Sequence, residues 1–237
     1  MRINALLTGR GNNTLKDKNI LDVLGHPVLY YPANACRNCK LIENFYCSSD
    51  DDMILSEAEK IGYHSIKRPI ELAAPDAQHI DCILHALNIM KEKNDLPDIL
   101  VVVLANNVTI KSKWVSDCIN IMKNDMRISA VVPVYEDNDH HPLRAKVIDS
   151  DGRLQMYDDR VEGAVSTNRQ DLTPCYFLSH NIWVLNVEKL LSDEEGQAPW
   201  SFMGNNIYPY LIDESLDIHH KTDLYLAKEW IINNYTD

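Results

Sequence analysis

The chain has 237 residues, 45% of them apolar, and carries 23 Lys and Arg against 35 Asp and Glu. That length is ample for a buried core, and the composition is that of an ordinary globular protein. A net charge of −12 disfavours nucleic acid and anionic membrane as partners, because an acidic surface repels phosphate.

The first apolar run, Ile3 to Thr8, predicts a strand, and the chain then meets Gly9 and Arg10 too soon for a secretory signal. A polar, Gly-containing stretch follows, from Gly9 to Asn19. Pro27 to Asn38 reads as a helix with proline near its first turn. Phe45 to Cys47 is a strand fragment, and Ser48 to Asp52 offers N-cap residues for a helix over Met53 to Ile61. Ser65 to Lys67 is a brief strand, and a Pro-punctuated loop runs from Arg68 to Pro75. Ile80, Ile83, Leu84 and Leu87 repeat at helical spacing within His79 to Lys91.

Ile99 to Leu104 contains no polar residue, which marks a strand covered on both faces. With Ala105 it makes the longest apolar run, seven residues against the ~20 that span a bilayer. Ser112 to Asn124 predicts a helix and Ser129 to Val134 a strand. The alternation implies an α/β protein with a mainly parallel sheet between helices. Residues from about 135 to 178 break the pattern and read as an inserted arm, with a hairpin signal at Asp151-Gly152. Asn181 to Asn186, Val187 to Leu191 and Leu224 to Asn234 complete the chain as a strand, a short helix and a closing helix. The expectation is one domain over 1–237, in a cytoplasmic protein.

Six cysteines are scattered without framework spacing, and Cys36-Arg-Asn-Cys39 is the only close pair. A zinc reading lacks half its ligands, so two buried thiols on one helical face is the better reading. His140-His141 and His219-His220 lack partner carboxylates at helical spacing, and His85 reads as a satisfied core histidine. The four tryptophans, at 114, 183, 200 and 230, read as core or interface.

Open α/β sheets bind ligands beyond the carboxyl ends of their strands. The loop after the first strand holds Arg10, Lys16 and Lys18 among Gly9, Gly11, Asn12 and Asn13. Glycines, amides and cations suit phosphate oxygens, yet neither the P-loop nor the dinucleotide fingerprint is present, and a solvated turn would look the same.

Several segments in register resemble the acylneuraminate cytidylyltransferases, the synthetases of CMP-sialic acid and related CMP-sugar acids. Arg10 through Lys18-Asn19 is similar to the family's N-terminal signature, and Ser48-Ser49-Asp50-Asp51 to its Ser-Thr-Asp-Asp strand end. Arg68-Pro69-Ile70-Glu71-Leu72-Ala73 and His85-Ala86-Leu87 resemble the next two motifs. His140 to Arg144 and Arg169 to Tyr176 look like the substrate-side arm, and Asp217 to Leu224 like the C-terminal Asp-Ile-Asp-x-x-x-Asp segment.

The resemblance implies a Rossmann-like, three-layer nucleotidyltransferase domain, and a reaction in which CTP and a sugar acid give a CMP-sugar and pyrophosphate with Mg²⁺. It further implies a homodimer with CTP and a small anionic sugar as ligands. By analogy Arg10, Lys18 and Asp217 are catalytic. Thr8, Gly9, Arg10, Gly11, Asn12, Asn13, Lys16, Lys18 and Asn19 would surround the nucleotide with Arg68, Ala77 and His79. Asn106, Asn107, Arg144, Arg169, Gln170 and Tyr176 would meet the acceptor, with the arm arginines facing its anionic group. Asp217 and His219 would stand at the metal, although Asp217 could instead cap the turn before the last helix.

Departures from the family pattern are concentrated on the acceptor side. Ala105 stands in place of a sugar-contacting glutamine, and His180-Asn181 in place of Asn-Gly. Asn12, Asn13 and Thr14 replace a Gly-Ser-Lys, with Lys16 as the substitute lysine, and His219 replaces a metal-site aspartate. These losses imply an acceptor other than ordinary sialic acid. A phosphate, phosphonate or alditol acceptor, or a nucleotide-binding scaffold without turnover, are the alternatives.

Overall fold

Ile99–Leu104 (β6) can be apolar throughout because it lies between strands on both edges and under helices on both faces. It pairs in parallel with Ile3–Thr8 (β1) and antiparallel with Ile182–Asn186 (β11). The computed structural model describes residues 1–11, 13–158, 165–192 and 195–235.

Two short strands, Asp22–Val23 (β2) and His26–Pro27 (β3), form a hairpin ahead of the first helix, Tyr30–Arg37 (α1). Pro27 therefore belongs to the hairpin, and the helix begins three residues beyond it, not at Pro27 as the sequence suggested. Asn44–Ser49 (β4) and His64–Lys67 (β5) extend the sheet from β1, both in parallel. Asp52–Lys60 (α2) joins them, and Asp51 caps it by accepting from the Met53 and Ile54 amides. His79–Glu92 (α3) and Ser112–Asn124 (α4) flank β6 in sequence.

Ala130–Glu136 (β7) pairs with β11, with Tyr176–Leu178 (β10), and in parallel with Ile207–Leu211 (β12). The sheet thus runs β5-β4-β1-β6-β11-β7, parallel over β5 to β6 and mixed beyond. Between β7 and β10 the arm carries a ribbon of Lys146–Ile148 (β8) and Leu154–Met156 (β9), with Gly152 at φ 74° in its turn. Val187–Leu190 (α5) and Asp223–Asn234 (α6) are the last helices.

Alternation within β1 divides the core. Ala5 and Leu7 face a cluster completed by α1, α2 and α4, whereas Leu6 joins Val102, Trp183 and the apolar face of α3 on the other side. A third cluster packs α6 through Ala227, Trp230 and Ile231 against Val23, Val28, Val108 and Ile218. Cys36 lies in α1 and Cys39 just past its end, both buried, and burial pushes the Cys36 thiol up to about 12, away from the thiolate that metal binding needs. No helix among the described residues is long and apolar enough to cross a membrane.

Candidate active site

Three strand ends open into one cleft of about 480 Å³. From β1 come Thr8, Gly9 and Arg10, and from the following loop Asn13, Lys18 and Asn19. The chain beyond β5 adds Arg68, Ala77 and His79, the end of β6 adds Asn106, and the segment before α6 adds Asp217 and His219. This is the carboxyl-end position that an open parallel sheet provides for a ligand.

Buried polar bonds hold these groups. The Arg10 carbonyl accepts from the amides of Asn13 at 2.5 Å and Asn19 at 3.0 Å, while the Arg10 guanidinium donates to the Ala74 carbonyl at 3.2 Å. Gly9 passes so close to β6 that an added Cβ would sit 3.0 Å from the Ala105 Cβ and 3.1 Å from the Asn19 Nδ2. Arg68 is only 6% exposed, and donates to the Ser48 carbonyl at 2.7 Å and the Ser48 hydroxyl at 3.2 Å. Burial in the cleft lowers the Lys18 pKa; Asp217 nearby opposes that shift and Arg10 adds to it. Cations so held gain most from an anionic ligand, which would restore the lost solvation.

His79, whose Nε2 lies 3.0 Å from the Thr8 Oγ1, is pushed down to about 4, first by burial and then by Arg68 and His180. It is neutral at pH 7 and acts here as a hydrogen-bonding group. His180 is also shifted down, chiefly by burial, with Asp217 opposing. Asp217 is tied through Oδ1 to the Asn107 Nδ2 at 2.5 Å, and its Oδ2 lies 3.9 Å from the His219 Nε2.

Several expected residues lie elsewhere. Asn107 is fully buried and does not line the cleft. Lys16 lines a separate shallow groove with Lys221 and Lys228, because the loop turns at Asp17, a residue at φ 57°. Gly11 is also off the cleft, and its N–H is already given to the Asp50 Oδ1 at 3.0 Å. Asn12 lies outside the described residues. Arg144 and Arg169 are on the arm, where Arg169 meets the Asp139 carboxylate at 2.6 Å and Arg144 at 3.6 Å. Gln170 and Tyr176 are exposed on the same arm, away from this cleft. Asp217 does not cap the turn before α6; Asp223 closes that turn, accepting from the His219 and His220 amides at 2.7 Å. His140 is paired with Asp137, and the buried Nδ1 of His85 has no hydrogen-bond partner among the described residues.

Several residues that line the cleft lie outside the expected site residues, among them an aromatic group. His180, Trp183 and Trp200 form an aromatic wall, with ring centroids 5.7 Å apart for His180 and Trp183 and 5.3 Å for His180 and Trp200. Trp183 is 2% exposed, so a core reading holds for it as well. The only available signal for His180 was its departure from the family's Asn-Gly.

The acidic and imidazole groups do not amount to a protein-built metal centre. Among the described residues no three His, Cys, Asp or Glu side chains are grouped to hold a metal ion. Asp217 supplies one carboxylate oxygen toward the cleft, and imidazole is a poor ligand for Mg²⁺. A single carboxylate is a hard oxygen donor that could hold a hard divalent cation such as Mg²⁺ only together with oxygens brought by a ligand and water.

No family model matches the chain. It is similar to N-acylneuraminate cytidylyltransferase of Escherichia coli, 23% identical over 229 residues, covering 95% of this chain and 51% of that protein. The chain therefore spans about half the length of that relative. It is 22% identical over 169 residues to pseudaminic acid cytidylyltransferase of Campylobacter jejuni, covering 70% of each. In three dimensions it resembles a CMP:2-keto-3-deoxy-manno-octonic acid synthetase complexed with CTP, with a TM-score of 0.71 at 12% identity over 99% of this chain and 100% of the other. At 22–23% sequence identity, and with the fold of a cytidylyltransferase, the chain resembles the acylneuraminate and pseudaminic acid cytidylyltransferases.

Proposed function

We propose that the cleft binds CTP with its Mg²⁺ and transfers CMP to a hydroxyl of a small sugar acid, releasing pyrophosphate. The observation that carries this reading is the gathering of Arg10, Lys18, Arg68 and Asp217 around one cleft in a chain of net charge −12. Three held cations and one carboxylate suit a triphosphate and its divalent ion better than any neutral ligand.

In the reaction, the acceptor oxygen forms a bond to the α-phosphorus, and the bond to the bridging oxygen of the β-phosphate breaks. Pyrophosphate leaves with that electron pair, and the hydroxyl proton passes to solvent. Catalysis of such a step is positioning and charge neutralisation. Arg10 and Lys18 hold the triphosphate and take up charge that develops on the leaving group. Arg68, Ala77 and neutral His79 enclose the nucleoside. Asp217 would hold Mg²⁺, whose charge would stabilise the phosphate oxygens. Asn106, His180 and Trp200 surround the acceptor, whose departures from the family pattern point away from ordinary sialic acid.

Arg144 and Arg169 lie outside their own chain's cleft, and on this reading they serve the acceptor site of a second copy through the arm at about 135–178. The setting is cytoplasmic, where CTP is available, within one domain over 1–237. The test is pyrophosphate release from CTP with Mg²⁺ across a panel of sialic, pseudaminic and octulosonic acids. Turnover is expected with one of the acids other than N-acetylneuraminate, lost in Asp217→Ala with the chain still folded. Calorimetry showing no CTP binding, or wild-type rates in Asp217→Ala, overturns the assignment. Best turnover with N-acetylneuraminate overturns the acceptor reading alone.

A further inference from the structure

We infer that Asn107 is a positioning residue, whose buried amide aims the Asp217 carboxylate into the cleft. The inference rests on the reading of Asp217 as the carboxylate that meets metal-bound CTP. Asp217 sits in a segment outside the sheet, so its place is set by what ties that segment down. Several bonds do so, and most run to the turn after β6. The Ile218 amide donates to the Asn106 carbonyl at 3.0 Å, the Leu216 amide to the Thr109 Oγ1 at 2.9 Å, and the Asn107 Nδ2 to the Asp217 Oδ1 at 2.5 Å.

The direction of the Asn107 amide is not free. Its Oδ1 accepts from the Thr109 backbone N–H at 3.0 Å, and a backbone N–H is always a donor. It also accepts from the Thr109 Oγ1 at 2.7 Å, whose lone pair is taken by Leu216. With Oδ1 fixed this way, the NH₂ group must face Asp217 and the Ser215 hydroxyl, the latter at 3.3 Å. Asn107 and Thr109 are both fully buried, so no water competes for these bonds. One carboxylate oxygen is thereby engaged by protein, and Oδ2 is left as the oxygen that can meet an incoming ion.

Groups that orient a metal-binding carboxylate typically change metal affinity about 10–100-fold when removed. The test is calorimetric titration of the whole chain with CTP, with and without Mg²⁺, alongside thermal melting. Asn107→Ala is expected to cut the Mg²⁺-dependent gain in CTP affinity about tenfold or more, while metal-free CTP binding changes less than about twofold. Thr109→Val keeps the shape and the backbone donor, and is expected to lose part of the same gain without unfolding. Equal weakening of metal-free and Mg²⁺-bound CTP in both variants would mean a purely structural role and overturns the inference. If Asn107→Ala keeps the full gain while Asp217→Ala loses it, the inference falls and the reading of the cleft stands. If Asp217→Ala also keeps it, the assignment of Asp217 falls and takes this inference with it.

Discussion

Gly11 links the loop after β1 to the start of α2, and Gly11→Ala tests that link. A Cβ at this position would lie 2.6 Å from the Asp51 Oδ2 and 2.9 Å from the Asp51 Cβ. The second contact cannot be relieved by a side-chain rotation, so either Asp51 or the loop must shift. If Asp51 shifts, α2 loses its N-cap, a cost of about 1 kcal/mol. If the loop shifts, the hydrogen bond from the Gly11 amide to the Asp50 carboxylate is lost, about 1.5–3 kcal/mol. The protein takes the cheaper route, so a destabilisation of about 1–2 kcal/mol is expected, a fall in melting temperature of roughly 2–8 °C for a chain of this length. Scanning calorimetry of Gly11→Ala, Asp51→Gly and the double variant measures it. Because the clash is with the Asp51 side chain and its Cβ, the double variant should be little worse than Asp51→Gly alone. Fully additive effects, or a Gly11→Ala protein that melts like the wild type, refute the reasoning.

The unfolded chain takes up a proton on His79 near pH 6.5, whereas the native chain refuses it until about 4. Stability is therefore expected to fall as pH drops across that window, by up to about 3 kcal/mol from this residue, and Asn or Gln at position 79 should flatten the slope. Denaturant melts at three pH values check this, and identical slopes in wild type and variant refute it. Lys18→Ala should weaken CTP binding about tenfold or more, read by the same titration as above, since it removes a half-buried cation from the proposed triphosphate site. Arg169→Ala should raise the acceptor KM and leave CTP affinity unchanged, because Arg169 lies on the arm and away from the nucleotide cleft of its own chain. An unchanged KM removes the arm from the acceptor site.

Strands and helices with strong periodic or unbroken apolar patterns were legible from sequence. Ile3 to Thr8, Ile99 to Leu104 and Ser112 to Asn124 fold with the expected bounds, since their burial on the sheet or its flanks matches their local pattern. β12 was not legible. Its residues, Ile-Tyr-Pro-Tyr-Leu, contain a proline and are half exposed, so only tertiary pairing with β7 makes them a strand. The hairpin of β2 and β3 was hidden similarly, as four residues carry too little pattern to be read.

At the site, residues at strand ends could be found because topology alone brings strand ends together. What could not be read was direction. Lys16 and Lys18 are two residues apart, yet one faces the cleft and the other an outer groove. Asn106 and Asn107 are adjacent, yet one lines the cleft and the other is fully buried behind Asp217. Such choices depend on turns whose hydrogen bonds come from distant segments, as Thr109 and Leu216 show. The arm arginines lie on a segment that leaves the sheet, and within the single chain both meet Asp139, so their relation to the cleft is not legible from one chain's strand order.

Among the described residues β12 pairs only with β7, which leaves its other edge without a neighbouring strand. An unpaired edge is a template onto which other chains can polymerise, and Tyr208 and Leu211 are exposed along this one. Pro209, at its midpoint, has no N–H to offer a visiting strand and interrupts the ladder that stacking requires. The same residue that conceals the strand from sequence reading thus guards it against self-association, and its replacement by valine would extend the sticky edge and invite aggregation during refolding.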